Sequence, residues 1–143
     1  MTWGEIQKIS LEKMFAKDEP IEVDDIEDLK EDDDCKWYLS AMPSVCNEAI
    51  ERLKPYCMNT YEYNEETGKY DKTSVTHVDA DTAPDYEMEL PESACVLIPL
   101  YIASQLYKDD DIAQATAYRN EFEVGLQDLN VEIENQESIK EVF

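Results

Sequence analysis

Leu90-Pro91-Glu92-Ser93-Ala94-Cys95-Val96-Leu97-Ile98-Pro99-Leu100-Tyr101-Ile102-Ala103-Ser104-Gln105-Leu106-Tyr107 is the segment on which the fold turns. Ala94, Val96, Leu97, Ile98, Leu100, Tyr101, Ile102, Ala103, Leu106 and Tyr107 leave no polar stripe. A helix that is apolar nearly all round belongs at the centre of a bundle. Pro91 suits its first turn, where a missing N–H costs nothing, and Pro99 predicts a kink further on. The run is interrupted by Pro99 and polar residues and falls short of the roughly 18–20 residues a membrane span needs, so no membrane segment is expected.

Working outward, Asp109-Asp110-Asp111 breaks the chain and predicts the cap of another helix, whose dipole favours acids at its start. The stripe of that helix is Ala115, Tyr118, Phe122, Gly125, Leu126 and Leu129, extending towards Ile133, at nearly heptad spacing. From Glu134 the chain is polar until Ile139, Val142 and Phe143, which predicts an extended tail over 134–143 that docks on a partner or packs on its own bundle. Arg119 is expected to pair with an acid of its own helix or of a neighbouring molecule.

Upstream, residues 57–90 change character. Tyr61 and Tyr63 alternate with polar residues, Asn64 to Lys69 reads as a turn, and Tyr70 resumes the alternation. Tyr86, Met88 and Leu90 alternate again, predicting a short β-hairpin arm with one extra short strand. The tyrosines Tyr61, Tyr63, Tyr70 and Tyr86 are a candidate arm interface, tyrosine being enriched in such places, or ordinary strand patterning against the bundle. Before the arm, Leu39, Met42, Cys46, Ile50 and Leu53 trace one helix face, widened by Trp37, Val45 and Ala49. The cap is expected near Asp33 or Asp34, a bend at Pro43 and an end at Pro55. Thr2 and Glu5 form a capping box for a first helix with Trp3, Ile6, Ile9, Met14 and Phe15 as its stripe, closed by Pro20. The expected fold is mainly α. It is a small four-helix-type bundle over 1–133 with a β-hairpin arm at about 57–90, followed by an extended C-terminal tail.

Charge narrows function. The 143 residues carry 12 Lys+Arg against 35 Asp+Glu, a net charge of −23, and the composition is 43% hydrophobic, too much for a disordered acidic tail. A chain this acidic is a poor candidate for gripping phosphates, which takes clustered Lys and Arg. Between Asp18 and Asp34 eleven acids face Lys30 alone, with Ile21, Val23, Ile26 and Leu29 threaded through them. This predicts a charged linker with a helical turn from about Asp25. Asp24, Asp25, Asp28, Asp32, Asp33 and Asp34 are its candidate exposed acidic surface.

Catalytic and metal-binding patterns are not visible. Cys35, Cys46, Cys57 and Cys95 are each at least eleven residues apart, and the only histidine is His77, so zinc spacing is missing. Buried free thiols of a reducing compartment are the expectation. Three glycines are too few for a phosphate-cradling loop, and the acidic segment from Asp79 to Asp85 offers Pro84 where a calcium loop needs glycine. The start of the chain lacks the basic segment of a secretory signal. No cofactor, no metal and no enzymatic activity are expected.

A resemblance adds to this. Leu90-Pro91-Glu92-Ser93-Ala94, the run from Ile98 to Tyr107, Asp109-Asp110-Asp111, and Tyr118-Arg119-Asn120-Glu121-Phe122-Glu123 resemble the head–tail connector proteins of tailed bacteriophages, also called adaptor or head-completion proteins. Thr2-Trp3-Gly4-Glu5-Ile6, Met14-Phe15, and Met42-Pro43 ahead of Asn47 and Ile50 agree more loosely, and residues 55–89 are unmatched. The resemblance implies a virion protein of the neck, made in the host bacterial cytoplasm. It would assemble as a ring of about twelve copies beneath the portal protein. The ring extends the DNA channel, helps retain the packaged genome, and offers a platform to the next connector or the tail. Ile139, Val142 and Phe143 would then dock on the portal. Acids lining the channel would repel DNA phosphates and let the genome pass without specific binding; a plain solvated surface is the alternative use of the same charge. A different class also fits the charge: an acidic DNA-mimic that occupies a host nucleic-acid enzyme.

Overall fold

The computed structural model describes residues 1–15, 20–57, 61–72 and 75–142, with side chains except at 61–62, 70–72 and 130–142. The chain is mainly helical. Helix α1 spans Trp3–Met14; a 3-10 turn at Val23–Asp25 leads into the short α2, Ile26–Leu29; and α3 spans Lys36–Leu53, with a 3-10 turn at Lys54–Tyr56 after it. Strands β1 (Tyr61–Asn64) and β2 (Lys69–Lys72) pair antiparallel, Tyr63 opposite Tyr70. Helices α4 (Glu92–Cys95), α5 (Ile98–Leu106) and α6 (Ile112–Val142) complete the order.

Helix α5 sits at the centre because its sequence gives it no face to show to water. Ile98, Leu100, Tyr101, Ile102, Ala103 and Leu106 are all buried, and α5 packs against α1, α3 and α6. Burying such side chains supplies roughly 1.5–3 kcal/mol each, the largest favourable contribution in a domain of this size. Each surrounding helix offers one apolar stripe. On α3 it is Leu39, Met42, Cys46, Ala49, Ile50 and Leu53, and on α6 it is Ala115, Phe122, Leu126 and Leu129.

The helix starts follow local chemistry. The Thr2 hydroxyl accepts from the Glu5 N–H at 3.2 Å while Glu5 Oε1 accepts from the Thr2 N–H, the reciprocal box expected from the sequence. The remaining free donors of that first turn find partners far away in the chain. Trp3 N–H donates to Tyr86 O and Gly4 N–H to Pro84 O, both at 2.9 Å. Asp111 Oδ1 accepts from Gln114 N–H at 3.0 Å and caps α6.

Gly4 lies so close to the 84–86 segment that a Cβ there would stand 2.9 Å from Pro84 O and 2.6 Å from Val23 Cγ1. Because the same carbonyl holds the Gly4 N–H, it cannot retreat without breaking that bond. Gly4→Ala should therefore lower unfolding stability by about 1–3 kcal/mol, as overpacking does. Urea denaturation reads the change, and an unshifted midpoint would show that the 84–86 segment yields freely.

Several expectations are corrected. The extended tail is instead helix: α6 continues unbroken through Val142, and the backbone has no break at 133. Residues 130–142 hold Glu, Gln and Lys but no Gly or Pro, so nothing stops the helix. Pro99 does not kink a long helix. It stands in the first turn of α5, after two turn residues, Val96 and Leu97, that separate α5 from α4. A proline there removes the donor that would have continued α4 and clashes with the carbonyl four residues back. The extra strand near Tyr86 reduces to a single bridge between Thr2 and Glu87. In α1, Leu11 is fully buried and Ile9 only half so, and Trp37, expected to widen the α3 stripe, is 57% exposed and meets Tyr38 edge-on. The N-cap of α3 is Cys35, which makes no side-chain cap bond, and not Asp33 or Asp34; in the turn before it, Asp32 Oδ1 accepts from the N–H groups of Asp34 and Cys35.

Candidate interaction surfaces

The acidic run is anchored to the body, not loose. Ile21 and Ile26 are buried in the core and pin it down, so the acids between them project outward. Asp24, Asp25, Asp28, Asp33 and Asp34 are exposed, and Asp32 is half-buried. Asp25 also works locally, its Oδ2 accepting from Glu22 N–H at 3.0 Å to close the 3-10 turn. Lys30 and Lys36 answer their own neighbours, Glu27 at 2.8 Å and Asp33 at 3.0 Å.

Of the four tyrosines, Tyr61, Tyr63 and Tyr70 lie on the paired strands and Tyr86 does not. Tyr63 is exposed on β1, with Tyr70 opposite it in register. The side chains of Tyr61 and Tyr70 lie outside the described residues. Tyr86 belongs elsewhere: it packs half-buried against the core, and its hydroxyl is buried without a hydrogen-bond partner. Ile139 and Val142 are placed on the last turns of α6 by backbone alone, and Phe143 lies outside the described residues.

Where α3, α5 and α6 meet, Glu123 Oε1 accepts from Arg52 and from Arg119, each at 3.0 Å. Arg119 therefore pairs within its own helix, which decides between the two partners left open by the sequence. The guanidinium of Arg52 lies 5.1 Å from the Phe122 ring centroid, and that of Arg119 lies 5.5 Å from the Tyr101 ring. Burial opposes the charge on Glu123, but the hydrogen bonds from the two arginines outweigh it and hold its carboxyl below the usual range. The Tyr101 hydroxyl donates to Glu48 at 3.2 Å, and burial, with the Glu48 charge, pushes that phenol upward. This cluster ties together three helices.

The segment after the strands is fastened to α3. The Asn47 amide donates to Val78 O and accepts from Val78 N–H, both at 2.9 Å, as a strand neighbour would. His77 Nε2 meets Glu51 Oε1 at 2.8 Å, and that contact lowers the Glu51 carboxyl. All four cysteines are buried free thiols. Among the described residues no three His, Cys, Asp or Glu side chains gather as a metal site would require, and no helix is long and apolar enough to cross a membrane.

Two surface features have no counterpart in the sequence reading. A cleft of about 210 Å³ opens between α1 and α3, with Trp3, Leu39 and Pro43 as its apolar wall, Gln7 inside it, and Lys30 and Lys36 at its edge. Ile112, the first residue of α6, is 72% exposed beside the three acids that precede it. A cleft made by residues from 3 to 43 has no signature in local spacing, and a lone isoleucine after a cap reads as the start of a stripe. No family model, curated protein or solved structure matches this chain.

Proposed function

We propose that the protein is a head–tail connector protomer of a tailed bacteriophage. In this role it is a structural part of the virion neck and not an enzyme, built as a four-helix-type bundle with a β-hairpin arm. It forms a ring under the portal, lengthens the DNA channel, and presents the next attachment platform. The observation that carries this proposal is the run from Leu90 to Leu129, whose resemblance to that family falls on the residues that make the centre of this fold. Support comes also from the acids of the 24–34 run, which stand outward on a pinned segment and would meet passing phosphates with repulsion.

Native mass measurement of the chain, alone and mixed with portal rings, tests it. Closed rings on the portal are the expected result. A monomer or dimer that ignores portal rings and instead inhibits a nucleic-acid enzyme would favour the DNA-mimic.

Salt adds a second readout. Copies of net charge −23 repel one another, and at physiological salt the Debye length is roughly 8 Å, so added salt removes repulsion beyond that range first. Ring formation should therefore strengthen as ionic strength rises, measured by sedimentation; assembly that falls with salt would count against acidic bodies meeting.

A further inference from the structure

We propose that the cleft between α1 and α3 receives Ile112 and its flanking acids from a neighbouring copy of this chain, an inference that rests on the ring function above. The cleft has what such a knob needs. Trp3, Leu39 and Pro43 give an apolar wall. Gln7, only 4% exposed, adds a polar side chain to its lining. The edge carries Lys30 and Lys36, held only by Glu27 and Asp33, whose side chains are 67% and 93% exposed. Such exposed pairs contribute under about 1 kcal/mol, so both ammonium groups re-pair readily. Asp79 also borders the cleft, but its carboxylate is engaged by the Asp81 N–H at 2.8 Å and the Thr82 hydroxyl at 3.3 Å.

The knob is complementary in shape and charge. Ile112 is an aliphatic side chain that projects at the start of α6 behind exposed Asp109, Asp110 and Asp111. In a chain this acidic, two copies meet favourably where a cationic edge faces an acidic one, and that pairing sets the register of contact.

Placement decides the symmetry. The Tyr38 hydroxyl donates to Asp110 and so ties the knob to one flank of α3. Lys36, Leu39, Ser40 and Pro43, which border the cleft, centre roughly 150° around that helix from Tyr38 at 3.6 residues per turn. Knob and cleft thus occupy opposite flanks of one protomer. Two different patches make a head-to-tail contact, which closes into a ring or runs on as a filament, whereas a self-matching patch stops at a dimer.

Ile112→Asp spoils the knob, and Lys30→Glu with Lys36→Glu spoils the cleft edge. All three sites reach solvent, so both proteins should keep the wild-type circular dichroism; Ile112→Ala serves should Ile112→Asp misfold. Self-association of the full chain, free or on portal rings, is followed by sedimentation velocity and native mass. Each variant alone should weaken it by roughly tenfold or more, the factor carried by burial of one isoleucine. Mixed in equal amounts, the two variants should form heterodimers and nothing larger, because one intact junction remains. Rings undiminished in both variants, or a mixture without heterodimers, would overturn the junction and leave the ring function standing. A wild-type chain that stays monomeric at every salt, alone and with portal, would overturn the ring function itself.

Discussion

Replacing Phe122 by alanine should cost about 3–5 kcal/mol of unfolding stability, the range for removing a fully buried aromatic ring. Phe122 is completely buried on the α6 stripe, its ring centroid 5.0 Å from that of Tyr101 on α5. The loss has two parts. The apolar area and contacts of the ring disappear, and the surrounding helices collapse only partly into the space. Arg52 also loses the face it lies over at 5.1 Å, worth about 0.5–1 kcal/mol at a half-exposed site. Phe122→Leu should recover most of the first part and none of the second. Against a typical total of roughly 5–15 kcal/mol, the alanine variant loses a third or more of its margin. Urea unfolding measures it, and a cost below about 1.5 kcal/mol would mean that α5 and α6 close over the gap far better than their packing suggests.

Alkaline pH should be almost as damaging. Burial pushes the Cys46 and Cys57 thiols up to about 12 and the Cys95 thiol to about 11, from an ordinary 9.0. A folded-state value above the unfolded one means that the native state holds its proton longer. Stability is therefore intact below about pH 9 and falls as pH rises from there toward the folded values. By pH 10 each thiol subtracts on the order of 1 kcal/mol, and the three together a few kcal/mol. Tyr101, also pushed up by burial, acts with the same sign at higher pH. Urea midpoints at pH 8 and pH 10 measure the loss, and Cys95→Ala should remove about a third of it. Native protein at pH 8 should also resist alkylation at these thiols, which become reactive once unfolded. A stability curve that is flat from pH 8 to 10 would refute the burial of these groups.

The parts of this fold that were legible in the sequence share one property: their partners lie within a turn or two of each other. Thr2 and Glu5 cap α1 across three residues, and Asp111 caps α6 across the same distance. The stripe on α3 and the all-round apolarity of α5 need only the helical period to be read. Errors arose where two structures answer to one local pattern. Pro99 inside an apolar run fits a kinked helix and a new helix equally well, and packing of Leu97 against Gly125, where a Cβ would come within 2.4 Å of Leu97 Cδ2, accompanies the break. The polar stretch after Glu134 reads as a spacer before the late apolar cluster of Ile139, Val142 and Phe143, yet its residues are good helix formers and α6 runs on through it.

What the sequence by itself determined is a mainly helical chain with α5 inside, free thiols and an acid-rich exterior. Those follow from composition and period, which act residue by residue along the chain. Only the tertiary structure decided that Arg52 finds Glu123 across 71 positions, that Tyr86 leaves the strands to pack on the core, and that Trp3, Gln7 and Lys36 enclose one cleft. Partners so far apart are set by how helices pack against one another, and no local spacing encodes that.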